Sequence, residues 1–365
     1  MGAFTGTLNS NEIFAALYNM IISQEVFADN IAGTFSSLVD KSRVEGSLYG
    51  DQKLYYATDV LKSHEWLGDN EAANLLALDR PEAPSVQAIE LDIFRQIRLT
   101  VDYYLSKRAW ANEGAFSSFT SVMLGWIRDT KRVYDATTFN AFIGTAVSTA
   151  AKGEVSVNIT TGSDTSSADL EGAARIEAQT IAETLANILI DLKDVSRDYN
   201  DYGYVRSYEP NDLIFVWNSA WVNKINKLDL PTMFHKEGLV DKFEEEILPA
   251  RYFGTITTAQ HTVVAGEDYR ALEEQDITVS GATYHLFAGD QFPVGAVVAA
   301  GEGYVVDANI ICKIIHRRSV PFMSAFEVGT SFFNPRSLTE NHYLTWGHNT
   351  LEYLKNYPFI TVKKQ

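Results

Sequence analysis

The residues able to do chemistry are few and poorly grouped. His64 opens "HEWLG", which begins like the His-Glu-x-x-His zinc motif, but Gly68 stands where a helix would place the second ligand. The other histidines, His235, His261, His285, His316, His342 and His348, form no i, i+4 pair and meet no cysteine cluster. In a strand, His342 and His348 would share a face but lie too far apart to hold one ion. Structural or surface roles are expected for them. Glu244, Glu245 and Glu246 offer the carboxylates that glycoside hydrolysis uses as acid and base. Consecutive residues on a helix point in different directions, so a solvated helix face is the expected reading. Trp217 and Trp221 could stack a sugar, yet after an apolar strand they are expected to fill a core. "GEGYVV" from Gly301 lacks the third glycine of a dinucleotide fingerprint, and there is no Walker loop and no Gly-x-Ser-x-Gly elbow. No catalytic, metal or cofactor set is expected.

The elements that would position such residues follow from composition and pattern. With 365 residues, 46% hydrophobic and 21% charged, the chain can bury a sizeable core in two or three domains, or in one domain with large excursions. A net charge of −17 repels phosphates and argues against sequence-reading DNA binding. The lone Cys312 excludes an internal disulfide and fits a reducing compartment. The opening "MGAFTGTLNSNEIF" lacks the basic and apolar runs of a secretory leader, and Gly6 stands where myristoylation wants Ser or Thr. No apolar run reaches the roughly 18 residues of a membrane helix, so a soluble protein is expected.

Along the chain, residues 10–41 suggest two helical stretches, with Phe14, Leu17, Tyr18, Ile21 and Ile22 at helical spacing. Strand patterns follow at 51–62 and 85–105, where Ile89, Leu91, Ile93, Ile97, Leu99, Val101 and Tyr103 fall mostly on alternate positions. Together they predict a long two-stranded excursion with little core of its own. Residues 113–150 predict a long helix broken near Asp135, and "KGEVSVNITTGSDTSSAD" reads as a surface loop. A second helix follows, with Ser166 and Asp169 at capping-box spacing and Ile181, Leu185, Ile188, Leu192 and Val195 forming its buried stripe. Leu213 to Val216 predicts a buried strand and Ser219 to Lys227 a helix. Residues 255–315 predict short Gly-punctuated strands, and "YPFITVKK" a final one. The class is mixed α+β.

Three stretches carry a resemblance. "WANEGAFSSFTSVMLGWI", "NDLIFVWNSAWVNKINKLDLPTMFH" and "NPRSLTENHYLTWGHNTLEYLKNYPFITV" resemble, in turn, the spine-helix start, the strand and helix entering the axial domain, and the closing strands of tailed-bacteriophage major capsid proteins. The order of elements is similar to the HK97-like fold and most similar to the phi29-like short-tailed group, over most of the chain. The resemblance implies an N-terminal arm at 1–44, an E-loop hairpin at 45–108, and a P domain with spine helix at 109–200. It further implies an A domain at 201–320, with a β insertion near 255–306, and closing P-domain strands at 321–365. The phi29-like relative carries an immunoglobulin-like domain after the closing strand. Here the sequence ends at Gln365 and the β insertion looks enlarged instead.

The implied function is self-assembly, as hexamers and pentamers, into an icosahedral shell around double-stranded DNA. The implied partners are portal and possible scaffolding or head-decoration proteins, non-specifically contacted DNA and no membrane. Assembly would take place in a bacterial cytoplasm. The assembly residues this suggests are Arg95, Arg98, Lys107 and Arg108 on the E-loop strand meeting Glu244, Glu245 and Glu246, with Asn334, Pro335 and Arg336 at a turn. An encapsulin-like nanocompartment of the same fold, an enzyme and an exported binding module are the competing readings.

Overall fold

The structure, a computed structural model, describes residues 37–45, 52–66, 78, 80–102, 113–159, 167–225 and 244–365. The predicted helices before residue 36, and Lys107, Arg108 and His235, lie outside the described residues. In chain order the elements begin with α1 (Ser37–Ser42), β1 (Arg43–Glu45), β2 (Lys53–Ala57), β3 (Ser85–Ile89) and β4 (Leu91–Asp102). Next come α2 (Glu113–Thr145), β5 (Glu154–Val157), α3 (Ser167–Lys193), β6 (Leu213–Asn218), α4 (Ser219–Ile225) and β7 (Glu244–Leu248). Seven short strands follow: β8 (Gly254–Ile256), β9 (His261–Thr262), β10 (Tyr269–Ala271), β11 (Gln275–Val279), β12 (Ala282–Leu286), β13 (Val297–Val298) and β14 (Gly303–Val306). The chain closes with β15 (Ile310–His316), β16 (Phe322–Asn334), β17 (Thr339–Asn349) and β18 (Phe359–Lys364).

The described residues fall into two compact units, 93–133 with 325–347, and the remainder. The core of the larger unit is a five-stranded sheet ordered β5-β18-β15-β6-β7. Its inner strands β6 and β15, "LIFVWN" and "IICKIIH", are mostly apolar runs, and every one of their residues is buried. Strands covered on both faces have this pattern rather than alternation. One face packs on α3 through Ile181, Leu185, Ile188 and Leu192 against Phe215, Trp217, Cys312, Ile314 and Ile360. On the other face Lys313 is wholly buried and donates to the carbonyl of Ala146, just past the end of α2.

Four sequence expectations change here. The helix α2 runs unbroken through Asp135, because that buried carboxylate is held by Arg43 Nη2 at 3.1 Å. Val195 lies beyond α3 and is exposed, so the buried stripe ends at Leu192. The surface loop expected after Lys152 contains β5, which pairs parallel with β18 and buries Val157. Glu244 to Glu246 form a strand, β7, parallel to β6, and not a helix face.

The Gly-punctuated segment folds as small sheets, β10-β14-β8, β11-β12 and β13-β9, around Val263, Ala271, Leu286, Phe292, Ala296 and Val298. A second cluster, Ala141, Tyr252, Ala288 and Tyr304, fixes it to α2. The approach is close: a Cβ at Gly144 would stand 2.0 Å from the carbonyl oxygen of Tyr252. In the smaller unit β16, β17 and β4 lie side by side in that order. Gln96 donates to Thr345 Oγ1 at 3.0 Å and Thr100 to Asn341 Oδ1 at 2.6 Å, linking β4 to β17.

Candidate functional site

The groups that sequence motifs brought forward are scattered through the described residues, from the exposed His64 to the buried His348. His348 is fully buried: Tyr134 Oη lies 2.7 Å from its Nε2, and its Nδ1 lies 2.9 Å from the Asn349 carbonyl. His316 stacks on Tyr357 at 4.3 Å, and its Nδ1 accepts the Arg318 N–H, so the ring is neutral; burial holds it down at about 4. His261 meets Glu267 at 2.7 Å, and His285 lies between Glu274 at 3.0 Å and Asp276 at 2.7 Å. His342 Nε2 has no hydrogen-bond partner among the described residues. Trp217 and Trp221 are core, and the indole of Trp221 donates to the Ala308 carbonyl at 2.9 Å. Burial pushes the Cys312 thiol up, which leaves it unreactive. Among the described residues no group of His, Cys, Asp or Glu gathers to hold a metal, and no helix is long and apolar enough to cross a membrane.

What remains is surface. The β2–β3 hairpin pairs Lys53↔Ile89 through Ala57↔Ser85. The strand read as one run from Ser85 is interrupted at Glu90: its first part pairs with β2, and from Leu91 it becomes β4. Period-two alternation places Lys53, Tyr55, Ala57, Gln87 and Ile89 on the more covered face, with Leu54, Tyr56 and Val86 exposed. Beyond Ala57 the chain carries apolar side chains with almost no cover: Leu61 is 77% exposed, Trp66 93% and Leu78 78%. Isolated exposed apolar residues are ordinary, but this concentration on one excursion is what an interaction surface presents.

The root of that hairpin is tied to its own unit. Asp59 accepts the Val205 N–H at 2.9 Å and Arg197 Nη1 at 2.7 Å, and these bonds, the backbone one foremost, hold its carboxyl down at about 2. Arg206 donates Nη2 to the Thr58 carbonyl at 2.5 Å and Nε to Asn356 Oδ1 at 3.0 Å. Ser85 Oγ and Tyr204 Oη lie 2.6 Å apart. Gln87 donates to the Tyr353 carbonyl and accepts from the Lys355 N–H, both at 3.0 Å, and Asp92 accepts the Thr350 N–H at 2.6 Å. Sequence reasoning passed over all of these, because an Asp after a strand reads as an ordinary turn residue.

The charged candidates divide. Arg95 and Arg98 are three apart on β4 and so face opposite ways, Arg98 outward and bonded to Gln96 Oε1 at 2.9 Å, Arg95 half-buried. They do not present one basic row. Glu244 and Glu246 share a face of β7, an edge strand, and both meet Lys41 Nζ, at 2.7 and 2.6 Å; Arg317 adds to Glu244 at 3.3 Å. Lys41 lowers the Glu244 carboxyl. Glu245 faces the other way, and desolvation raises its carboxyl. Asn334, Pro335 and Arg336 open the turn between β16 and β17: Asn334 Oδ1 accepts the Arg336 N–H at 3.0 Å, and Leu338 adopts a φ of 55°. The exposed rings of Phe332 and Phe333 precede this turn.

This architecture has relatives. The fold is similar to a chain in the capsid structure of Staphylococcus phage Andhra, with TM-score 0.60 and 11% identity, over 94% of this chain and 87% of that one. It is also similar to a chain from the structure of the head fiber and inner core protein gp22 of native bacteriophage P68, with TM-score 0.56 and 11% identity, over 88% and 83%. No curated protein matches. The family model of the Phi29-like phage major capsid protein matches residues 5–361. Matched by that model over nearly its full length, on a mixed α+β body similar to phage capsid chains, this is a shell-forming protein: it belongs to the Phi29-like phage major capsid protein family.

Proposed function

We propose that the chain builds its shell as hexamers and pentamers of an icosahedral head enclosing double-stranded DNA, in the cytoplasm of a bacterial host. In this reading residues 1–44 are the N-terminal arm and 45–108 the E-loop. Residues 109–200 form the P domain with α2 as spine helix, 201–320 the A domain, and 321–365 the closing P-domain strands. The observation that carries the reading is the exposure of Leu61, Trp66 and Leu78 on an excursion whose root is fixed. A neighbouring subunit would cover them, so the excursion gains its order from assembly. Several such contacts per subunit hold a shell firmly without any one being strong.

Arg95, Arg98, Lys107 and Arg108 would act as local charge partners of acidic neighbours, among which Glu245 is the one of the three β7 carboxylates that Lys41 does not hold. Asn334 to Arg336 would form a second contact. The net charge of −17 lets packaged DNA slide against the wall rather than adhere. Portal and scaffolding or decoration proteins complete the set of partners, and no enzymatic step is assigned. Membership of the phage family favours a phage head over an encapsulin-like compartment. Negative-stain microscopy of the protein expressed alone and with its neighbouring genes tests this reading. Closed shells are expected; compact single molecules under every condition would overturn it.

A further inference from the structure

We infer that the polar clamp at the hairpin root sets the direction in which the excursion leaves the body, and thereby the size of the shell. This rests on the shell reading and adds residues to it. Both arms are held: the first through Thr58 and Asp59, the second through Ser85, Gln87 and Asp92. The body contributes two loops, 197–206 and 350–356. Arg206 joins them, because its guanidinium bonds Thr58 of the hairpin and Asn356 of the second loop while Nη1 is held by the Val205 carbonyl. Arg197 is aimed in the same way, its Nη1 shared between Asp59 and the Gly203 carbonyl at 2.8 Å.

The attachment combines these directional bonds with the buried side chains of Ala57 and Ile89. Beneath the hairpin lies a small cleft of about 60 Å³, open to solvent and lined by Tyr55, Tyr56, Gln87, Tyr202, Leu354 and Tyr357, among others. Hydrogen bonds weaken steeply with misalignment, whereas apolar contacts tolerate sliding, so a root held by bonds around a cleft has a defined angle. That angle is amplified along the arm. From Asp59 to Trp66 the chain can extend roughly 23 Å at about 3.3 Å per residue, so a root rotation of about 10° displaces Trp66 by about 4 Å. A displacement of that size takes a side chain out of a packed pocket, and repeated at every subunit it changes the curvature at which the shell closes.

The test uses the full chain. Asp59→Asn keeps an acceptor for Val205 but removes the charge that Arg197 meets, Arg206→Lys removes the fork, and Tyr204→Phe removes only the hydroxyl at Ser85. Lys62→Ala, which breaks the exposed Lys62–Glu82 pair farther out on the hairpin, is the control. Thermal unfolding of unassembled protein separates folding from aim, and microscopy gives shell diameter and yield. The expected result is near-wild-type unfolding for Asp59→Asn and Tyr204→Phe with shells of mixed or altered diameter, or yield reduced about tenfold or more. Lys62→Ala is expected to match wild type. Wild-type diameter and yield from all three clamp variants would overturn the clamp while leaving the shell reading intact. A wild-type chain that forms no shell would overturn both.

Discussion

The five-stranded sheet and the β2–β3 hairpin use similar residue types and reach opposite ends. In the sheet, β6 and β15 are buried at every position, mostly by apolar side chains, and both faces are covered within the chain. In the hairpin, alternation covers one face, leaves Leu54, Tyr56 and Val86 in water, and gives way to a stretch where Leu61, Trp66 and Leu78 are exposed. The sheet is therefore a finished structure and the hairpin an unfinished one, and the two should respond differently to substitution and to pH.

The largest expected effect lies in the sheet. Burial, with a smaller push from Lys363, draws Lys313 from its usual 10.5 down to about 7. The unfolded chain then binds the proton that the folded chain has released between about pH 7 and 10.5. Stability should rise with pH across that window by on the order of 4 kcal/mol and show no slope from this group below it. Lys313→Met should flatten the rise in denaturant titrations taken from pH 7 to 10, although it also leaves the Ala146 carbonyl without this donor.

Next comes the joint between α2 and the small β sheets. Gly144→Ala forces a methyl onto the Tyr252 carbonyl and should lose about 3 kcal/mol. Gly125→Ala, on the same helix with nothing within 4 Å of the added Cβ, should gain about 0.5 to 1 kcal/mol. Equal effects of the two substitutions on thermal unfolding would deny the close approach. His316 makes a comparable contribution on the acid side. Its folded value of about 4 lies below the usual 6.5, so the unfolded chain gains the proton first, and stability should fall by on the order of 3 kcal/mol as pH drops from about 6.5 to 4. His316→Phe should remove that slope.

The edge of the sheet should respond far less. Glu244→Gln with Glu246→Gln breaks part-exposed pairs with Lys41 and should cost no more than about 1 kcal/mol, less at high salt. Smallest of all is the hairpin: Trp66→Ser should leave unfolding of the unassembled chain unchanged while lowering shell yield. A measurable loss of stability in the free chain would mean that the ring is already packed, and the contrast with the sheet would fail.

The same contrast explains what could be read in the sequence. Long periodic segments such as α3, and apolar runs such as β6 and β18, declare themselves because burial imposes their pattern over many residues. β5 does not, since Val155 and Val157 alternate over only four positions and become a strand because β18 offers an edge. Glu244 to Glu246 read as a helix face because local charge says nothing of the β6 edge that pairs with them. Asp135 reads as a helix break because its partner, Arg43, lies 92 positions away. The clamp was invisible for the same reason: Thr58 and Arg206 are 148 positions apart, and nothing in either local stretch marks the bond. The fold family was legible in three stretches of type and order; the residues that aim the hairpin were not.

A cryo-electron microscopy map of the assembled shell tests the central claim most directly. The account predicts Leu61, Trp66 and Leu78 buried against a different copy of the chain, with Asp59 and Arg206 still bonded to their own. Trp66 lying in solvent, or packed on its own subunit, would contradict it.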